Sequence, residues 1–318
     1  MGNVNIQSCA DAGSKYCPCH LAYSGDCIKC SLLRGKKTCD CVWQGVCIYS
    51  EVQHNKNLSI CERQEHLCKI AQVKKIEEDL FFIKIQVPKN IVGELKSPGA
   101  YVLLKSKDKN SDIFNAPISV MDVNTQESYI EVVIKSMGIK TKSIINFDEV
   151  WVKGPYYNGV FGTRGLNNTN QENCLVILNG LSQVSAINII KKLLENKNKV
   201  EVIFNSQSII LEEVKNKIQQ MGINISIVNV FEDKNFISDY LSRNNVKFVY
   251  SGGCNNFNKI IMNIVDEVSE DIKLSISNNN LICCGEGICG ACTVRINGEK
   301  MKSCKSQIDS REFLKTLK

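Results

Sequence analysis

Cys284-Gly285-Glu286-Gly287-Ile288-Cys289-Gly290-Ala291-Cys292, followed by Cys304, decides how this chain is read. Four residues separate the first two cysteines, two separate the next pair, and eleven precede Cys304. In that C-x4-C-x2-C…C spacing four thiolates hold the two irons of a plant-type [2Fe–2S] centre. A loop wrapped closely around a cluster needs backbone without bulk, and Gly285, Gly287, Gly290 and Ala291 provide it. Their N–H groups can turn toward sulfur, where they raise the reduction potential. A zinc knot and unligated thiols are the blander readings, and both fit less well.

The rest of the composition is that of a soluble globular protein. The chain has 318 residues, 43% hydrophobic and 23% charged, enough for two ordinary domains or three with some small. The net charge of +6 forms no basic tract, so no nucleic-acid partner is expected. Apolar runs such as 174–178 and 248–250 are strand-sized, far short of the ~20 residues of a membrane span. The polar N-terminus lacks the apolar core of a signal peptide, so the expected location is cytoplasmic. Of seventeen cysteines, ten lie between Cys9 and Cys68 and five between Cys283 and Cys304. A disulfide framework would not leave so long a middle stretch without staples; clustered thiols in a reducing compartment point to metal.

Working outward from the cluster loop, four segments separate: a cysteine-rich extension (1–68), a strand-rich segment (69–162), an alternating segment (174–276) and the cluster domain (277–318). Strands are predicted at 81–87, 101–105, 118–122, 129–135 and 149–153, punctuated by Pro98-Gly99 and Gly154-Pro155. Strands this close, with no helical interruption, suggest an antiparallel β-barrel. Residues 163–173 read as a polar linker. Beyond it, apolar strands at 175–178, 200–204, 225–230, 247–250 and 272–276 alternate with helical patterns, as in a parallel α/β sheet covered by helices. The cluster loop is expected as a small appendage, and residues 105–112 as a solvated hairpin loop.

Four motifs occur in a telling order: Ser97-Pro98-Gly99-Ala100-Tyr101-Val102, Ala116-Pro117-Ile118-Ser119-Val120, Gly138-Ile139-Lys140-Thr141-Lys142 and Gly154-Pro155-Tyr156-Tyr157-Asn158-Gly159. With the cluster loop they resemble the electron-transfer subunit of type B dihydroorotate dehydrogenase, within the ferredoxin-reductase-like flavoproteins. Sulfide dehydrogenase and ferredoxin–NADP oxidoreductase subunits share that layout. The resemblance covers about residues 69–304. It implies an FAD-binding barrel, an NAD-binding-type α/β domain, and an iron–sulfur flavoprotein that passes electrons between FAD and a partner. That partner would be a catalytic oxidoreductase subunit or a ferredoxin-like carrier. It also implies that Pro117, Ile118 and Ser119 lie near the flavin ring, with Gly138, Lys140 and Thr141 near the pyrophosphate.

Two departures stand out. Ala116 occupies the place of an arginine that would grip the FAD pyrophosphate. The glycine-rich turn after the first α/β strand becomes Asn179-Gly180-Leu181-Ser182-Gln183, so NAD(P) binding is doubtful and the domain reads as a retained scaffold. These departures keep open an alternative function: a non-catalytic, metal-bearing interaction or sensor protein.

In the N-terminal segment Cys17, Cys19, Cys27 and Cys30 form one plausible four-sulfur set. Cys39, Cys41 and Cys47 need a fourth ligand, with Cys61 and Cys9 as candidates. An additional Fe–S cluster, zinc, and free thiols all remain open there. Cys283 is expected as a buried small residue, with substitution for Cys284 as the minor alternative. His20 is expected as a surface residue.

Overall fold

The computed structural model describes residues 8–41, 43–54, 62–107 and 115–317. Cys61 and residues 108–112 of the expected hairpin loop lie outside that set. The N-terminal segment holds β1 (Ser8–Cys9), α1 (His20–Tyr23) and α2 (Ile48–His54). The barrel follows: β2 (Glu65–Glu77), β3 (Leu80–Gln86), α3 (Lys89–Val92), β4 (Tyr101–Ser106), β5 (Ala116–Asn124), β6 (Tyr129–Lys135), α4 (Ile139–Ile144) and β7 (Glu149–Tyr156). It closes in the order β2-β3-β6-β5-β4-β7, with every neighbouring pair antiparallel.

Closure fixes which residues point where. Alternate side chains of each strand face inward, so Ile83, Ile85, Val102, Leu104, Ile130, Val132, Val150 and Val152 fill the barrel. Their neighbours Tyr101, Leu103, Lys105, Pro117, Ser119 and Lys153 therefore lie on the outer wall. The first strand, β2, was not read from the sequence. Its segment Gln72–Lys75 is exposed and charged, so no hydrophobic alternation marks it.

The α/β domain runs β8 (Val160–Phe161), α5 (Thr163–Asn167), β9 (Asn173–Leu178), α6 (Ala186–Glu195), β10 (Lys199–Asn205), α7 (Glu212–Gln220), β11 (Ile225–Val228), α8 (Lys234–Arg243), β12 (Val246–Gly252), α9 (Asn255–Val268) and β13 (Lys273–Ser277). Its sheet is ordered β11-β10-β9-β12-β13-β8, parallel except at the edge pair β13–β8. Strand β9 shows why both faces are covered. Cys174, Val176 and Leu178 pack toward α6, α7 and the barrel, whereas Leu175 and Ile177 pack toward α8 and α9. The expected linker at 163–173 is corrected here: α5 occupies its first half and Leu166 is fully buried. Asp122 on β5 pairs with Lys191 on α6 and Lys217 on α7, clamping barrel to sheet.

The last elements are β14 (Thr293–Ile296), β15 (Glu299–Lys302), β16 (Ser306–Gln307) and α10 (Ser310–Lys315). The cluster domain is no loose appendage. Phe313 and Leu314 of α10 join the sheet core, with Phe313 edge-on to Phe161 at 5.0 Å. Asn158, wholly buried, donates to the carbonyls of Ser303 and Ser306 at 2.6 and 2.7 Å. Strand β16 pairs antiparallel with β1, so the two cysteine-rich regions form one body.

Candidate functional site

The loop from Cys283 to Cys292 is short of regular structure because glycine sets its path. Gly285, Gly287 and Gly290 all have left-handed φ, at +69°, +76° and +80°. A Cβ on Gly285 would come within 2.5 Å of the Tyr156 ring, so the loop lies flat against the barrel at that point. Gly285→Ala is expected to cost about 1–3 kcal/mol and to lower iron per chain, since it combines a forbidden backbone angle with overpacking. Gly298→Ala is the control: it has φ +83° but open space around it, so it should retain the iron. Thermal midpoints and iron content of the two variants check this.

The four predicted cluster ligands lie as two thiol pairs, Cys284 with Cys289 and Cys292 with Cys304. Cys292 Sγ and Cys304 Sγ stand 3.1 Å apart and both residues are buried. Cys284 Sγ accepts the Glu286 N–H at 3.3 Å, Cys304 Sγ accepts from Gly287, and Cys289 Sγ accepts from Ala291. Hydrogen bonds to sulfur stabilise the thiolate form that iron requires. The hydrogen bond from Cys304 pulls the Cys292 thiol down to about 6. Three thiols on a loop of left-handed glycine turns and a fourth at Cys304, with backbone donors aimed at all four, fit a [2Fe–2S] core. Cys283 departs from expectation: it is not buried, and its thiol donates to Cys289.

Behind the loop lies a feature that the sequence did not reveal. Asp11, Arg63, Glu286 and Lys305 form a buried network of two acids and two bases. Arg63 reaches Asp11 at 2.7 Å and Glu286 at 3.3 Å, while Lys305 contacts Glu286 at 2.8 Å and also pairs with Asp11. The Arg63 guanidinium lies 4.0 Å over the Tyr16 ring and 4.4 Å over Tyr156. Burial disfavours the charged form of Asp11, yet Lys305 and Arg63 outweigh it and hold the carboxyl below its usual range. The same balance, with Lys305 the larger influence, lowers Glu286. Glu286 belongs to the cluster loop itself, so these charges set the loop's seat.

The loop faces a cleft of about 390 Å³ lined by Leu103, Lys105 and Lys153 of the outer barrel wall and by Cys283, Cys284 and Cys289. The cleft's lining holds none of the residues expected near a flavin; the link to them is strand register. Pro117 pairs in register with Leu103 and Ser119 with Tyr101; both Pro117 and Ser119 are exposed, and Ile118 is half-buried. Lys140 lies close enough to Cys283 for its charge to favour that thiolate. Gly138 and Thr141 sit together at the start of α4, where the Gly138 N–H donates to Thr141 Oγ1 at 3.2 Å. Tyr101 and Tyr156 stack at 5.1 Å nearby, and both hydroxyls are buried without a protein partner. The tyrosine pair is packed under the loop with Leu103, Ile282, Cys292 and Cys304, so what the wall offers a ligand with a phosphate tail is the two lysines. Ala116 corrects one idea about this site. It faces into the barrel core, so an arginine placed there would enter the core rather than the cleft.

The turn after β9 does not fit a dinucleotide. The Gly180 N–H donates to Ser208 Oγ at 3.1 Å. Gln183 is buried; its amide donates to the Gly180 and Ile209 carbonyls, and its oxygen accepts from the Leu211 N–H. Groups that would meet a pyrophosphate are satisfied by the chain's own side chains.

Residues 247–316 match the 2Fe-2S iron-sulfur cluster binding domain family, a match that begins on β12 and includes the loop. A Clostridium beijerinckii relative, the uncharacterized protein in adh 3'region, is 23% identical over 261 residues, 77% of this chain and 84% of that one. The electron transfer subunit of dihydroorotate dehydrogenase B (NAD(+)) from Fusobacterium nucleatum is 24% identical over 240 residues, 72% of this chain and 88% of that one. Among solved structures, an NADH-dependent reduced ferredoxin-NADP oxidoreductase superposes with a TM-score of 0.59 at 20% identity, over 79% of this chain and 92% of the other.

Proposed function

We propose, from a chain that joins the ferredoxin-reductase fold to a C-terminal domain of the 2Fe–2S cluster binding family, an iron–sulfur flavoprotein that transfers electrons between FAD and a partner redox protein. The observation that carries this reading is the shared cleft: the outer barrel wall and the cysteines Cys284 and Cys289 face one another across it. A flavin exchanges electrons in pairs or singly, and a di-iron core accepts them one at a time.

In this reading Cys284, Cys289, Cys292 and Cys304 ligate the di-iron core. Leu103, Pro117, Ile118 and Ser119 support the flavin ring, and Lys140 with Gly138 and Thr141 meets its phosphates. Lys105 and Lys153 supply positive charge on the cleft wall. The closed turn at Gly180 and Gln183 leaves the α/β domain a structural role, so electrons are not expected to enter from a nicotinamide. Exposed Leu281 and Ile288 flank exposed Cys289 and offer a small apolar rim for a partner. The subunit naming of the Fusobacterium relative supports a catalytic partner subunit. No helix among the described residues is long and apolar enough to cross a membrane.

Anaerobically purified protein is expected to release about one FAD per chain on denaturation. Mixing with NADH or NADPH in a stopped-flow instrument should leave flavin and cluster bands unbleached. Flavin-free protein that takes up no added FAD would overturn the flavoprotein reading and favour the metal-bearing sensor alternative.

A further inference from the structure

We propose that Cys17, Cys19, Cys27 and Cys30 bind a second metal centre through their thiolates, seated against the [2Fe–2S] loop. The ligand is a thiophilic ion, iron or zinc; four thiolates suit both.

Three independent observations lead here. The first is convergence. Cys9, Cys17, Cys19 and Cys27 line one small cavity together with the apolar side chains Leu21 and Ile28. Cys30 joins it through the Cys27-x2-Cys30 turn, in which Cys27 Sγ accepts the Cys30 N–H at 3.4 Å and also that of Lys29. Two backbone donors on one sulfur complement a thiolate. A neutral thiol packed as a small hydrophobe has no need of them.

The second is the thinness of the module's core. Its packed cluster consists of buried Ala22, Cys27, Cys30, Ile48 and Val52 with Cys17, Leu32 and Leu33 partly buried against them, and so three of its eight members are cysteines. So few apolar side chains cannot order a segment of this length, whereas metal–thiolate bonding supplies folding free energy directly.

The third is position. Cys19 and His20 line the same cleft as Cys284 and Cys289, and Leu21 packs on Gly287. A centre at Cys19 therefore neighbours the di-iron loop across a single wall. Cys9 is left out of the set because β1 pins its backbone against Ser306 and the Asp11 carboxylate lines the cavity beside it. Cys39 and Cys47 are exposed, Cys41 is half-buried 3.6 Å from Cys39, and none of the three lines that cavity, so they are also left out. His20 pairs with Glu62 at 3.2 Å, in keeping with a surface role. Among the described residues no three His, Cys, Asp or Glu side chains already stand as ligands of one ion, at the di-iron loop or here. The metal itself is expected to draw the sulfurs together, as in small thiolate domains that fold on binding.

The test is a metal and sulfide count on the full chain, purified anaerobically from cells supplied with both iron and zinc. Wild-type protein should exceed the two irons of one [2Fe–2S] centre. The Cys27→Ser/Cys30→Ser variant should lose only that excess and keep the di-iron EPR signal. An excess of iron with a second Mössbauer component identifies an iron centre; one zinc per chain, inert to reductant, identifies a zinc site. Two irons and no further metal in the wild type would overturn the proposal, as would an excess that survives the double substitution. The wild-type count decides even if the variant fails to fold. Flavin content does not enter the count, so a failed flavoprotein reading is told apart from a failed metal site.

Discussion

Lys305→Met should destabilise the protein by about 3–5 kcal/mol, because it removes one partner from a buried ion network and leaves carboxylates uncompensated. Lys305 is 1% exposed and bridges Asp11 on the N-terminal segment to Glu286 in the cluster loop. Methionine retains the packing of the aliphatic stem, so the loss reads out charge rather than volume. Denaturant midpoints would measure it, and a double-mutant cycle with Asp11→Asn would isolate the pair. A loss below about 0.5 kcal/mol, the ordinary surface range, would show that the network does not seat the loop.

The same variant should shift acid stability. Asp11 and Glu286 are held below their ordinary values of 3.8 and 4.5, so they stabilise the fold above those values. That contribution is lost as pH falls through the lower, folded-state values. Without Lys305, Arg63 alone opposes burial and the folded-state values rise. Acid unfolding should therefore begin at higher pH in Lys305→Met than in the wild type, and a pH titration of the near-UV signal would follow it.

The second large effect concerns the cluster ligands. Cys292→Ala should abolish the visible absorption and the reduced-state EPR signal of the di-iron core, since Cys292 is buried against Cys304 and no other thiol among the described residues is placed to replace it. Cys283→Ala is expected to retain both signals. Cys283 hydrogen-bonds to Cys289 but has neither the backbone donor that Cys284 receives from Glu286 nor the left-handed glycine geometry that follows Cys284. Loss of signal in Cys283→Ala with retention in Cys284→Ala would reverse that assignment.

Much of this was legible in the chain. The barrel strands β3 to β7 and the sheet strands β9 to β13 carry apolar periods that survive without context, and the cluster loop has a spacing with few other uses. Three things were not legible. Strand β2 is paired on both sides yet mostly solvated on its surface, so its hydrogen bonds, not its hydrophobicity, make it a strand. Helix α8 shows only Ile237 and Leu241 to the core, a pattern too sparse to stand out. The ion network joins residues as far apart as Asp11 and Lys305, separated by 294 positions, and no local period encodes such a pairing.

That separation also sets an order of events during synthesis. Strand β1 pairs with β16, and Asp11 can meet Lys305 only after the 294 positions that separate them have been synthesised. At translation speeds of about 5–20 residues per second, the interval is roughly 15–60 s. The cysteine-rich segment thus closes late, and its many thiols wait that long, open to metal delivery or to oxidation, before β16 and Lys305 arrive to cover them.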